Sequence, residues 1–496
     1  MTKLIRANNM LIWLVLIFGC GLITLSQVIL DNNKAALVMA FASVTVWIAW
    51  FIYSRWLFGL RRHVTRFMRM PVDQLTFVDK QLSANRLADV VRALHQYCET
   101  SQSQSFATAA NMDFKQLRFT NSSIEPLVWR TIDIDGGNLV NIPENAVFLL
   151  EVNGNRVAIK PTFESHHFIG EEQFSNTPVN RIQLCASSIE QANAMMQWVL
   201  NESSIASIYR GQVLHVHHSS SGKASNFVQI VDRPNSTRDS VVLPEEVLSL
   251  TEKLLLGRAK HQQRLAGLGH SSRLGLLFYG PPGTGKTLVT KWILSQIPDH
   301  TVIVPTDLAP ETLRECFRLA AYLQPTVVVI EDVDLLAVDR TLSSGRLDGL
   351  QELMNEMDGL SSTSDTMVIL STNRPEVLEP ALASRPGRVS QAIEFPLPDQ
   401  PSRTRLLKLF LGATAAGASS EMLDLDRWAQ KTDQASPAFL QELCKRAILL
   451  ACDRTTQSDI EVTDNDLREA MHQLIVTGGS LNANVLGFPT AVATSV

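Results

Sequence analysis

An unbroken apolar run, Leu274 to Phe278, leads directly into Gly280-Pro-Pro-Gly-Thr-Gly-Lys-Thr287 and then into a helical pattern. Strand, glycine-rich turn and helix in that order fit a parallel sheet buried on both faces and few other architectures. Glycines let backbone N–H groups curl around phosphate oxygens, Lys286 reaches β and γ phosphates, and the Thr287 hydroxyl ligates Mg²⁺. The helix N-terminus adds its own partial positive charge. A turn that merely joined strand to helix would not call for Lys-Thr. The expected nucleotide-binding set is therefore Gly280, Pro281, Pro282, Gly283, Thr284, Gly285, Lys286, Thr287 and Leu288, with ATP and Mg²⁺ as its ligands.

Two more apolar, β-branched runs follow. Thr326 to Ile330 ends in Glu331-Asp332-Val333-Asp334, where carboxylates at a strand end can hold Mg²⁺ and polarise an attacking water. Met367 to Leu370 ends in Ser371-Thr372-Asn373, and the Asn373 amide is suited to orienting that water. Arg385 and Arg388 flank a Pro-Gly turn, and two arginines fixed there suit the charge of a phosphoryl-transfer transition state. The expected catalytic residues are thus Glu331, Asp332, Asn373, Arg385 and Arg388.

From about Asp239 to Leu474 the sequence resembles the AAA family of ring-forming ATPases. The P-loop carries the resemblance, with Leu353-Met-Asn-Glu-Met-Asp-Gly-Leu360, Thr372-Asn373-Arg-Pro and Arg-Pro-Gly-Arg388. It implies an ATP hydrolase that assembles into a ring of six or seven identical subunits, with Arg385 and Arg388 reaching the neighbour's γ-phosphate. Asn373 matches the first sensor of the family. A helical lid fits Arg403 to Leu411, Pro437 to Cys452 and Asp464 to Ile475, with helix starts at Ser436-Pro437 and at Thr463 with Asp466.

Most of the family ends its second strand Asp-Glu, whereas here the order is Glu331-Asp332. That order resembles the subfamily of the mitochondrial translocase that inserts the Rieske iron-sulfur protein. Ser240-Val-Val-Leu243 and Ser436-Pro-Ala438 add to the likeness. It places Glu331 near Mg²⁺ with Thr287 and makes Asp332 the water-polarising base, with Asp334 as the alternative. An aromatic pore loop of the kind threading unfoldases carry is not expected, because Thr306 to Glu311 leads straight into a helix. No HExxH accompanies the P-loop, which excludes a membrane AAA protease as a full match.

Met10 to Leu30 and Ala35 to Phe58 are apolar runs close to the roughly 20 residues that a spanning helix needs. Asp31 to Lys34 separates them, room for a turn only, so a transmembrane hairpin is expected. Lys3 and Arg6 precede it, while Arg61, Arg62, Arg66 and Arg69 follow, which puts both ends on the cytoplasmic side. Because the translocase has one span where this chain has two, a bacterial relative in the inner membrane is expected. The net charge of −5 gives no general basic surface for nucleic acid. The six cysteines form no CxxC pair, as in a reducing compartment.

The expected fold class is α/β, a P-loop AAA ATPase domain with a parallel sheet and flanking helices. A C-terminal helical lid follows it, and a small α+β domain and the hairpin precede it. The expected segments are 1–60 for the hairpin, 61–113 for a helical connector and 114–232 for the α+β domain. The ATPase domain then takes 233–400, the lid 401–477 and a tail 478–496. In the middle domain Ser187 and Glu190 read as a capping box. His215, His217 and His218 lack the carboxylate or cysteine that would make a metal set. Two functions fit: ATP-driven remodelling, translocation or insertion of a folded protein at a membrane, or a slow nucleotide-dependent switch or scaffold that assembles a membrane-bound ring and recruits partners.

Overall fold

The computed structural model describes residues 59–82, 84–101, 104–108, 114–118, 124–133, 139–163, 180–217, 227–270, 273–338, 349–360, 364–378, 388–415, 423–454 and 460–477. The hairpin runs 10–30 and 35–58, Arg385 and the tail 478–496 lie outside them. Among the described residues no helix is long and apolar enough to cross a membrane. The chain divides into two units, residues 1–132 with 140–203, and 133–139 with 204–496.

In the first unit, α1 (Leu60–Met68), β1 (Thr76–Gln81), α2 (Ala84–Thr100), β2 (Gln104–Thr108) and β3 (Ile124–Glu125) come first. Then follow β4 (Trp129–Asp133), β5 (Leu139–Pro143), β6 (Ala146–Val152), β7 (Asn155–Thr162), β8 (Arg181–Ala186) and α3 (Ile189–Ile205). Six strands form one sheet in the order β1-β8-β7-β6-β2-β3. Residues alternate between its faces, as the pleat requires. Phe148, Leu150, Ile159 and Leu184 pack with α2 and α3, while Val147, Leu149, Ala158 and Cys185 pack with Leu60, Val64 and Met68 of α1. The connector expected over 61–113 is therefore corrected: β1 pairs with β8 and β2 with β6, so this segment supplies two strands of the sheet. Among the described residues of this segment the α-helices are α1 and α2. The cap of α3 is also displaced by one residue, since the Gln191 N–H donates to Ser188 Oγ at 3.2 Å and the Ser187 N–H donates to Gln191 Oε1 at 3.1 Å.

The second unit contains β9 (Val213–His217), β10 (Phe227–Val231), α4 (Glu245–Gly267), β11 (Leu274–Tyr279), α5 (Lys286–Gln296), β12 (Thr301–Pro305) and α6 (Pro310–Tyr322). It continues with β13 (Thr326–Ile330), α7 (Leu335–Val338), α8 (Gly349–Gly359), β14 (Thr366–Thr372) and β15 (Gln391–Glu394). The strand order is β10-β9-β12-β13-β14-β11-β15. From β9 to β15 neighbouring strands are parallel, and β10 is antiparallel to β9. Leu276, Phe278, Val327, Val329, Met367 and Ile369 enter a core with α4 and α5. Leu277, Val328, Ile330, Val368 and Leu370 are equally buried on the other side, as a sheet covered on both faces demands. The boundary expected at 232/233 is corrected as well: β9 lies beside β12, with Val213 opposite Val302, so β9 and β10 belong to this sheet and not to the middle unit.

The lid consists of α9 (Gln400–Leu411), α10 (Leu425–Lys431), α11 (Pro437–Arg454) and α12 (Asp464–His472) around Trp428, Phe439, Leu440 and Leu467. Thr463 and Asp466 form a reciprocal capping box at α12. Burial works against ionisation of Asp466, but bonds from the Thr463 N–H and hydroxyl and from Arg454 outweigh it and hold the carboxyl below its usual range. A depressed folded-state pKa stabilises above the unfolded value of about 3.9 and is lost as pH falls through the folded one. The lid is therefore expected to lose stability below about pH 4, and Asp466→Asn is expected to flatten that acid limb while lowering stability at neutral pH by about 1 kcal/mol. Thermal melts of both chains across pH 3–7 check this.

Candidate functional site

The carboxyl ends of β11, β13 and β14 open on the same side of the sheet, because parallel strands with crossover helices present their C-terminal turns together. The glycine-rich turn after β11 holds Gly283 and Gly285 in left-handed conformations, with φ of 76° and 98°. Only glycine adopts these without strain. A Cβ on Gly283 would also meet Ala438 Cβ at 2.8 Å, so the turn sits tight against the start of α11. There the Ala438 N–H donates to the Gly283 carbonyl at 3.2 Å, and the Phe439 N–H is capped by Ser436 Oγ at 3.1 Å.

Lys286 begins α5 and is buried. Its Nζ donates to the carbonyls of Gly280 at 2.8 Å and Pro281 at 2.9 Å. Burial pulls the ammonium below the ordinary lysine range, and the carboxylates of Asp332 and Asp334 work against that. A cation folded onto two neutral carbonyls at the mouth of a turn rich in N–H groups is the donor set a polyphosphate would replace with stronger, charge-assisted bonds. Thr287 and Leu288 are exposed at the same mouth, while Thr284 donates back to the Pro281 carbonyl at 2.9 Å.

After β13 the chain bends sharply. Asp332 takes φ 49°, uncommon for a residue with a side chain. The Asn373 amide donates to Asp332 Oδ1 at 3.1 Å, so two residues expected to act together do meet. Glu331 and Asp332 are exposed. Asp334 is buried and accepts from the Thr372 hydroxyl at 2.8 Å, and Thr372 in turn accepts from the Arg374 N–H at 2.9 Å. Asp334 therefore ties the ends of β13 and β14 together.

Arg388 is paired within its own chain. Its Nε donates to Asp358 Oδ1 at 2.6 Å and its Nη2 to Oδ2, a fork closed on the last turn of α8, and the arginine side chain is only 6% exposed. The carboxylate of its own chain occupies one edge of the guanidinium in the single subunit. Sequence spacing cannot reveal Asp358 as its partner. Thr372 and Asp358 are the site residues that motif reading missed, although both lie inside motifs already recognised.

The loop after β12 is a short fixed turn in which Asp307 Oδ1 accepts from the Ala309 N–H at 2.9 Å and the Thr312 hydroxyl at 2.6 Å, and α6 begins at Pro310. His215 lies on β9, between β10 and β12, and His217 Nδ1 lies 3.0 Å from Thr306 Oγ1. Among the described residues no group of three or more His, Cys, Asp or Glu could hold a metal ion. Residues 276–397 match the family model described as ATPase family associated with various cellular activities (AAA).

Proposed function

We propose, from the premise that residues 276–397 are an AAA ATPase domain and the chain an ATP hydrolase, that it couples ATP splitting to the remodelling, translocation or insertion of a folded protein at a membrane. The observation that carries this reading is the meeting of Asp332 and Asn373 at 3.1 Å at the strand ends that also present Lys286. In that arrangement the P-loop amides and Lys286 bind the β and γ phosphates, and Thr287 and Glu331 would hold Mg²⁺, which would offset phosphate charge. Asp332 accepts the proton of the water that attacks the γ-phosphorus, and Asn373 orients that water. The bond to the β-phosphate oxygen breaks, giving ADP and phosphate.

Arg385 from the neighbouring subunit of a homo-oligomeric ring, six or seven strong, completes the site. The short turn held by Asp307 offers no aromatic grip for a threaded chain, which favours a substrate moved in its folded state. The hairpin at 10–30 and 35–58 anchors the ring, in a bacterial inner membrane with the ATPase domain on the cytoplasmic side. This resembles the arrangement of the Rieske-protein translocases.

The inverted Glu331-Asp332 order favours a second reading, a slow switch or scaffold that recruits partners, since the shorter carboxylate reaches less far toward a water. Trapping separates the two. Asp332→Asn chains, loaded with ATP and extracted from the membrane, are expected to retain a folded client protein, and that client is expected to raise the turnover of the unmodified chain. Recovery of the chain alone, with turnover indifferent to every candidate client, would leave the switch.

A further inference from the structure

Away from the nucleotide site, the outer face of α1 carries a row of arginines. Arg62 and Arg66 lie one turn apart on it, Arg69 ends the helix in a left-handed conformation, and all three are exposed. Leu60, Val64 and Met68 on the opposite side are buried with Val72, Leu75, Phe114 and Leu117. Arg156 extends the basic group at the end of the helix. Its Nη1 donates to the Phe67 carbonyl at 3.0 Å, and its guanidinium carbon lies 5.6 Å from the Phe67 ring centroid. Among the carboxylates bonded to this group are Asp73, held by Arg61 at 2.9 Å, and Glu151, held by Arg156 at 2.9 Å. The helix itself, Leu-Arg-Arg-His-Val-Thr-Arg-Phe-Met, contains no acidic residue.

We propose that this arginine face docks on the phosphates of anionic phospholipid head groups. The inference rests on the reading of 35–58 as a membrane span. That run ends at Phe58 and α1 starts at Leu60, so the row begins within a turn of the hydrocarbon boundary. The apolar face of α1 is already spent inside the protein, so the helix has nothing to insert in the manner of an interfacial amphipathic helix. What it offers outward is guanidinium forks, which match phosphate oxygens geometrically. A basic residue at an anionic surface gains about fivefold in affinity at physiological salt, and the gain falls off within a Debye length. Arg62 and Arg66, one turn apart, and Arg69 just beyond the helix can each meet a different head group. The backbone of a nucleic acid presents phosphates too, but the net charge of −5 opposes approach of a long polyanion.

The test uses the full chain in bilayers holding equal phosphatidylcholine and phosphatidylglycerol, with retained lipids identified by native mass spectrometry after gentle extraction. Phosphatidylglycerol is expected to be enriched about fivefold or more. The enrichment should fade with added salt and vanish in the Arg62→Gln, Arg66→Gln, Arg69→Gln triple variant. The matching triple lysine variant should keep most of it, which separates loss of charge from misfolding. Equal retention of both lipids by the unmodified chain, or undiminished enrichment in the glutamine variant, overturns the proposal. So does a DNA duplex that binds the unmodified chain and not the glutamine variant. Alkaline carbonate extraction runs alongside: a chain stripped from the bilayer sinks the span, whereas an integral chain without lipid preference sinks only the docking face.

Discussion

Lys286→Ala chains are expected to hydrolyse ATP about 10³-fold more slowly than the unmodified protein, near the upper end of what one preorganised charge contributes to a transition state. The side chain is already in place before nucleotide arrives, held by two carbonyls at 2.8 and 2.9 Å. An arriving phosphate exchanges those neutral partners for itself, so little ordering of the lysine remains to be done at the moment of reaction. Alanine would leave the γ-phosphate charge to Mg²⁺, the backbone amides and the neighbour's arginine. Phosphate release measured beside nucleotide binding checks this; turnover within tenfold of the unmodified chain would remove Lys286 from its assigned role. Global stability should change little, since the loss is confined to bonds within one turn.

Gly275→Ala should be among the most damaging single changes outside the P-loop. An added Cβ would lie 2.0 Å from the Arg388 carbonyl oxygen and 3.3 Å from Met357 Cε. The first neighbour is backbone and cannot swing aside, because the Ser390 N–H donates to the Gly275 carbonyl at 2.7 Å and fixes that crossing. The strands β11 and β15 must part or the Arg388 loop must lift, at a cost of about 3 kcal/mol. Denaturant melts read the stability loss. Lifting the loop also opens the fork between Arg388 and Asp358, so the stability of Asp358→Ala chains should respond less to the glycine change than that of the unmodified chain, and a double-mutant cycle detects that coupling. Additive effects of the two substitutions would show that the crossing and the fork are independent.

The nucleotide site was legible because its chemistry is local. Gly280 to Thr287 follows a buried strand directly, and Glu331-Asp332 and Asn373 each sit at the end of an apolar run, so three strand ends identify the site without any tertiary information. What sequence could not supply was pairing. Val213 to His217 alternates as any half-buried strand does, and nothing in those residues tells whether they join β12 or the middle sheet; the answer lies in Val302, far along the chain. Thr76 to Gln81 is a polar edge strand whose outer half is exposed, so it lacks the apolar alternation that would have marked it between two helices. The pairing of Arg388 with Asp358 was equally hidden, because Asp358 comes from another element. The same holds for Asp334, whose bond to Thr372 joins two strands.

Val241, Val242 and Leu243 form a strap just ahead of α4. Val241 and Leu243 are buried with the sheet and its helices, and Val242 is buried among Leu406, Trp428 and Phe439 of the lid. Three consecutive side chains stitched alternately into two bodies behave like a shared hem: neither cloth can be drawn aside without tugging the other. A rotation of the lid is thereby felt at the root of α4 through apolar packing alone, with no ligand as intermediary. Any change of angle between the two bodies therefore has to repack the side chains around Val242.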